Sequence, residues 1–196
     1  ELKINRLKIK YMDKKKIAVI VGSLREGSFN KKLANDAIRM QPDTFDMEIV
    51  EIGNLPYYNE DLDNDNPPAE WVEFRKKIKE ADGYLFFTPE YNRSISGVLK
   101  NAIDVGSRPY GANSWGGKPG AVVSSSISAI GGALANHALR QPMVFVDVYM
   151  MQQPEAYIGN TTTLFNEFHE IANPDTRKFL DDWLKAFEAW VHKFYS

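Results

Sequence analysis

The stretch IAVIVGSLREGSFNKKLANDAIRM, residues 17–40, passes through three local preferences in turn. With Lys16 and Gly22 it opens on KIAVIVG (16–22), a continuous apolar run of buried-strand length. A glycine-bearing loop follows, with Gly22 and Gly27 five apart and Ser23, Arg25, Ser28 and Asn30 among them. From residue 29 to 40 the pattern changes to helical, and Leu33, Ala34, Ala37 and Ile38 share one face. A strand, a polar loop and a helix start in that order form a common phosphate cradle, because the first turn of a helix presents free N–H groups.

The alternation continues along the chain. DMEIVEI (46–52) reads as a second strand, alternating as an edge strand does, and LPYYNEDLDNDNPPAE (55–70) as an acidic, turn-rich loop. Asn66, with Pro67 and Pro68 behind it, is expected to open a helix whose Trp71, Phe74, Ile78 and Ala81 face inward. GYLFFT (83–88) is a third strand ended by Pro89, and SGVLKNAIDVGSR (96–108) a helix with Val98, Leu99, Ala102 and Ile103 inside. PGAVVSSS (119–126) is a fourth strand and GGALANHALRQ (131–141) opens another helix. Pro142 leaves two continuations open: MVFV either extends that helix or joins a fifth strand near 147–151. The last helix starts at Pro174 behind an Asn173 cap and carries Leu180, Trp183, Leu184, Phe187, Trp190, Val191 and Phe194 at intervals of three and four.

Strands alternating with helices imply a doubly wound α/β fold, a parallel sheet of five strands with helices on both faces in three layers. Ligands in such folds sit beyond the carboxyl ends of the strands. Three unusual loops start there: 22–30, 89–97 and 124–132.

Composition removes several function classes. A net charge of -2 argues against a nucleic-acid surface, and the apolar runs GYLFFT and MVFVDVYMM are far shorter than the roughly 20 residues that span a bilayer. With no cysteine there is neither thiolate nucleophile nor cysteine-held metal, which suits a reducing compartment, and the expected location is the cytoplasm. His137, His169 and His192 lie outside the three loops without metal-ligand spacing, so no metal is expected. Residues 1–11 precede a Met12-Asp13 start and read as an extension, leaving 12–196 as one domain.

The first loop fails two nucleotide signatures. Leu24 stands where G-x-G-x-x-G needs its second glycine, and Ser28 and Phe29 follow Gly27 where a triphosphate loop needs Lys and Ser/Thr. What remains suits one terminal phosphate held without metal: hydroxyls from Ser23 and Ser28, the Arg25 fork and the Asn30 amide. The plainer alternative is that Ser28 only caps its helix and Arg25 is a solvated charge. In the second loop, Pro89-Glu90-Tyr91-Asn92 makes a short rigid turn offering backbone groups and an aromatic ring to a flat heterocycle. The alternative there is a turn followed by the Ser96 helix cap; Lys100, Asn101 and Asp104 read as structural or subunit-contacting.

GSLREGSFNKKLA (22–34), LPYYNEDL (55–62), TPEYN with S, G and LKNAIDV (88–105) and GGALANHALRQ (131–141) occur in this order. Together they resemble the NADPH-dependent FMN reductase family of the flavodoxin-like fold, in its quinone and chromate reductase branch, from about Lys16 to Ile158. The resemblance implies FMN as cofactor and NADPH or NADH as co-substrate. It implies Ser23, Arg25, Ser28, Phe29 and Asn30 around the phosphate, Pro89, Glu90, Tyr91, Asn92 and Arg93 beside the ring system, and Ser126 on a third wall. Two positions depart from the family pattern: Ser96, where proline is usual, and Arg93, where close relatives carry a small or aromatic residue.

The implied activity is hydride transfer from the nicotinamide through FMN to a small-molecule acceptor: a quinone, free flavin, azo compound or chromate. The flavin carries the chemistry, so no catalytic side chain is expected. A homodimer or homotetramer is implied, and Tyr57, Tyr58, Tyr110 and Trp115 are read as an aromatic surface for it. The competing readings are an electron carrier of the same fold without NAD(P)H activity, and a nucleotide-binding module that has lost its flavin. Carriers steer by strong negative charge, which -2 does not supply.

Overall fold

The computed structural model describes residues 14–195; the proposed extension at residues 1–11 lies outside them. The sheet is built from β1 (Lys15–Val21), β2 (Phe45–Ile49), β3 (Gly83–Thr88), β4 (Lys118–Ser125), β5 (Val148–Met150) and β6 (Ala156–Ile158). The helices are α1 (Phe29–Arg39), α2 (Ala69–Glu80), α3 (Gly97–Gly106), α4 (Ala133–Phe145) and α5 (Pro174–His192). All pairings are parallel and the order is β2-β1-β3-β4-β5, the flavodoxin-like winding, with its switch point between β1 and β3.

The central strands alternate between two cores. Ile17, Val19, Val21, Leu85 and Phe87 point toward α1 and α5, where Leu33, Ala34, Leu180, Trp183 and Phe187 meet them. Ala18, Ile20, Tyr84 and Phe86 point the other way, onto Trp71, Phe74, Leu99, Ile103 and Leu139 of α2, α3 and α4. This two-sided burial explains the unbroken apolar runs, and the exposed Asp46 and Glu48 of β2 mark the edge.

Three helices begin as their sequences dictate. Ser28, Ser96 and Asn173 accept hydrogen bonds from the backbone N–H of Lys31, Leu99 and Thr176, each contributing about 1 kcal/mol. At α2 the expectation is corrected: Pro68, not Asn66, is the cap position, and Asn66 gives its N–H to the Asn64 side chain instead.

The choice left open at Pro142 resolves as helix. α4 runs through it to Phe145 because Met143 and Val146 reach the core, whose burial outweighs the lost backbone donor. The fifth strand position is divided. β5 pairs with Lys118–Gly120 and β6 with Val123–Ser125, while Met151 donates its N–H to the Gly120 carbonyl at 2.7 Å between them.

The aromatic surface is also corrected. Trp115 is completely buried against Tyr84, Phe74 and Phe86, its indole N–H on the Ile103 carbonyl at 3.1 Å, and Tyr58 packs on Trp71. Tyr57 and Tyr110 stay exposed. Asn101 is structural, as expected: it accepts from Tyr58 N–H at 2.8 Å and donates to the Leu55 and Pro56 carbonyls, clamping the 55–58 loop to α3.

Gly131 is fixed by both conformation and space. Its φ is +66°, and an added Cβ would lie 2.6 Å from the Tyr157 carbonyl carbon and 2.8 Å from the Ile158 nitrogen. Gly131→Ala is expected to cost about 1–3 kcal/mol, read as a lower urea midpoint with an unchanged slope.

Candidate functional site

The loops after β1, β3 and β4 meet at the carboxyl edge of the sheet and are fastened to one another. The Ser96 hydroxyl donates to the Gly22 carbonyl at 2.6 Å and accepts from Leu99 N–H at 3.3 Å, so one side chain caps α3 and holds the first loop. Gly22 permits the approach, since a Cβ there would meet Leu99 Cδ2 at 3.1 Å and Ser96 Oγ at 3.2 Å. The Ser96 departure from proline thus supplies a hydroxyl that proline lacks.

The second fastening is Glu90. Its Oε2 accepts from the backbone N–H of Leu134 at 3.1 Å and Ala135 at 3.3 Å. α4 begins after Gly132, in a left-handed conformation with no side-chain cap of its own, so Glu90 caps it from the neighbouring loop. The third loop is held against β6, Ser126 N–H donating to the Ile158 carbonyl at 3.1 Å and Thr161 N–H to the Ser126 carbonyl at 3.3 Å.

Between these loops lies a cleft of about 180 Å³. Ser23, Arg25, Ser28, Phe29 and Asn30 form its first wall, and Pro89, Glu90 and Tyr91 its second. Ser125, Ser126, Ile127 and Thr161 close the third. Nine of the eleven residues expected from the sequence are therefore brought together. Asn92 and Arg93 stand apart from the walls at the tip of a tight turn, with φ of 51° and 68°, closed by Tyr91 N–H to Ser94 O at 2.9 Å and Ser94 N–H to Tyr91 O at 3.0 Å. Two positive φ angles give that turn the type I′ shape. Arg93 reaches back toward Glu90, 3.7 Å from its Oε1.

Ser125, Ile127 and Thr161 were missed. The run Ser124-Ser125-Ser126 offers three equivalent hydroxyls, and only the pleat decides among them: Ser124 turns to the Ala156 carbonyl while Ser125 is buried against the cleft. Thr161 arrives from a segment with no motif. The 131–141 motif is a brace rather than a wall. Asn136 donates toward the Val122 and Ala156 carbonyls and accepts from Arg140, whose guanidinium also binds the Met151 carbonyl.

Among the described residues, three buried side-chain polar atoms lack a hydrogen-bond partner: Asn30 Oδ1, Ser125 Oγ and Thr161 Oγ1. All three residues line this cleft. Leaving such a group unpaired costs roughly 1–3 kcal/mol, so their concentration here fits a polar ligand that completes them. The charge fits an anion: Arg25 and the start of α1 face the cleft, while the Glu90 carboxylate is spent on α4. Ser28 caps α1 through its acceptor lone pair, Lys31 N–H to Oγ at 3.2 Å, and its O–H proton remains available to a ligand. Among the described residues, no group of three or more acidic, histidine or cysteine side chains has metal-binding geometry, and no helix is long and apolar enough to cross a membrane.

Fold and cleft define a flavodoxin-like α/β protein with a polar cleft beside the sheet's switch point. The sequence model of the family described as NADPH-dependent FMN reductase matches residues 15–163. A quinone reductase of Pseudomonas putida is 53% identical over 175 residues, covering 89% of this chain and 94% of that protein. A 2-hydroxy-1,4-benzoquinone reductase of Burkholderia sp is 47% identical over 176 residues, covering 90% and 96%. Among solved structures, FerB, a flavoenzyme NAD(P)H:(acceptor) oxidoreductase from Paracoccus denitrificans, is 40% identical with a TM-score of 0.86, covering 92% of this chain and 98% of that one. The chain belongs to the NADPH-dependent FMN reductase family. It is an oxidoreductase that works with FMN and NAD(P)H.

Removing the Glu90 cap tests the fastening. Glu90→Ala is expected to lose about 1–2 kcal/mol of stability, and Glu90→Gln, which retains an acceptor oxygen, less. Equal midpoints for all three proteins in urea unfolding would show that the cap contributes nothing.

Proposed function

We propose that the cleft binds FMN with its phosphate in the 23–30 loop and its ring system against the 89–93 turn, for reduction of a quinone-like acceptor by NAD(P)H. The observation that carries this reading is the set of unpartnered buried atoms on Asn30, Ser125 and Thr161. Ser23 and Ser28 donate hydroxyl protons to the phosphate, Arg25 its paired N–H groups and Asn30 its amide N–H, around the first turn of α1, while the unpartnered Asn30 Oδ1 accepts from a ligand hydroxyl. Ser125, Ser126 and Thr161 offer hydroxyls along the polyol chain on the opposite side.

Bound FMN would supply the redox chemistry between the nicotinamide and the acceptor. The protein's part is to bind and orient, and to keep one ring face open. Pro89 is buried and sets the floor of the turn, whereas Tyr91 and Ile127, 53% and 66% exposed, flank the mouth and offer apolar surface to a flat acceptor. That surface favours a quinone over chromate, which would bring a second anion toward the phosphate without a further cation among the cleft-lining residues. Free flavin and azo compounds share the flat shape and are secondary acceptors. A cytoplasmic setting belongs to the same reading, supported by the complete lack of cysteine.

Arg25→Ala is expected to weaken FMN by about tenfold or more and riboflavin, which lacks the phosphate, by less than about twofold, a charged hydrogen bond being worth roughly 1.5–3 kcal/mol. Titration calorimetry on flavin-stripped protein measures both, and equal losses would remove the phosphate from this loop. Steady-state turnover with NADH and NADPH against a quinone panel tests the reaction: flavin that stays oxidised with both donors would leave an electron carrier.

Self-association is also proposed, into a dimer or tetramer, supported by the exposed Tyr110, Val144 and Phe145. Light scattering at micromolar concentration is expected to give a mass of two or four chains, and a single-chain mass throughout would exclude it.

A further inference from the structure

The family match ends at residue 163, and the chain continues beyond it against α1 before entering α5. Residues 161–172 form a strap. Its first residue, Thr161, lines the cleft, and beyond it Phe165 and Ile171 pair as an isolated antiparallel bridge. Ala172 N–H donates to the Leu164 carbonyl at 2.8 Å and Asn166 N–H to the Glu170 carbonyl at 2.9 Å. The strap is pinned to α1 by the completely buried Asp36, whose Oδ2 accepts from Ile171 N–H at 2.8 Å while Arg39 satisfies the other oxygen. Leu164 and Ile171 sink into the core beside α1 and α5.

This arrangement delivers an aromatic ring to the back of the phosphate loop. Phe165 stacks on Phe29 with centroids 5.9 Å apart and planes 12° apart. On Phe29 lies the Arg25 guanidinium, its Cζ 5.2 Å from the ring centroid, within cation–π range. Lys32 lies beside the pair, its ammonium 5.7 Å from the Phe29 centroid and 5.5 Å from that of Phe165. A long, exposed arginine samples many rotamers, and a firm aromatic platform removes part of that freedom before a ligand arrives. Phe29 stands at the first position of α1, and Phe165 is the ring stacked on it.

We propose that Phe165 is a positioning residue for phosphate recognition: it backs Phe29 and thereby holds the Arg25 guanidinium ready for the phosphate of the mononucleotide. The inference rests on the placement of FMN given above and adds to it a group from outside the family-matched segment. Phe165 touches no ligand; it acts through Phe29 and Arg25.

The test compares FMN and riboflavin affinities of the flavin-stripped full chain by calorimetry. Phe165→Ala is expected to weaken FMN by about two- to fivefold at most, the full worth of the exposed Arg25–Phe29 cation–π contact that it steadies, and leave riboflavin unchanged. Phe165→Tyr restores the wild-type FMN value, and in an Arg25→Ala background Phe165→Ala changes nothing further. Should Phe165→Ala fail to fold, Phe165→Leu keeps apolar bulk, removes the ring and carries the same comparison. Equal weakening of both ligands, a loss that adds to that of Arg25→Ala, or no loss at all would overturn the buttress while leaving the phosphate in its loop. Absence of any FMN-over-riboflavin effect in Arg25→Ala alone would overturn the FMN placement and the buttress together.

Discussion

The cleft exists because three loops from three parallel strands are tied to one another through backbone atoms. Parallel strands all deliver their carboxyl ends to one edge, but nothing in a sheet obliges the loops beyond that edge to adopt a common shape. Here the Ser96 hydroxyl takes the Gly22 carbonyl and the Glu90 carboxylate takes the first N–H groups of α4. Each bond satisfies a polar group that secondary structure left over. The scaffold thereby turns obligatory helix-end chemistry into the frame of the cleft.

The division of charge follows from the same ties. Glu90, a carboxylate on the cleft wall, accepts from the first N–H groups of α4 and lies 3.7 Å from Arg93, so its charge is engaged away from the 23–30 loop. Arg25 and the beginning of α1 are left to set the sign at the other end. The wall hydroxyls are neutral, which suits a polyol chain, and the rim at Tyr91 and Ile127 is apolar, which suits a ring. A gradient from cationic to polar to apolar thus runs across one short cleft.

Much of this was legible in the sequence, for reasons visible in particular elements. GYLFFT is β3 residue for residue, because a strand buried on both faces allows no polar interruption and Pro89 stops it. The first loop was legible because its polar residues lie between a strand and a helix with no apolar role to fill. The division of the fifth strand was not, since both halves are three residues long and find their partner only on β4. Trp115 was misread because its loop composition suggested solvent, whereas a pocket formed by Tyr84, Phe74 and Phe86 receives it. Thr161 and Phe165 were invisible for a different reason. Thr161 is placed by its N–H bond to the Ser126 carbonyl and Phe165 by a strap pinned through Asp36 and Ile171, 135 residues apart, and no local pattern encodes either.

Because both ties end on main-chain atoms of the receiving loop, that loop's own side chains carry none of the fastening. Tyr91 and Ile127, at the mouth, carry no side-chain bond of the frame and are free to be exchanged without loosening it. The frame and the rim thus draw on different side chains, Ser96 and Glu90 in the first and Tyr91 and Ile127 in the second.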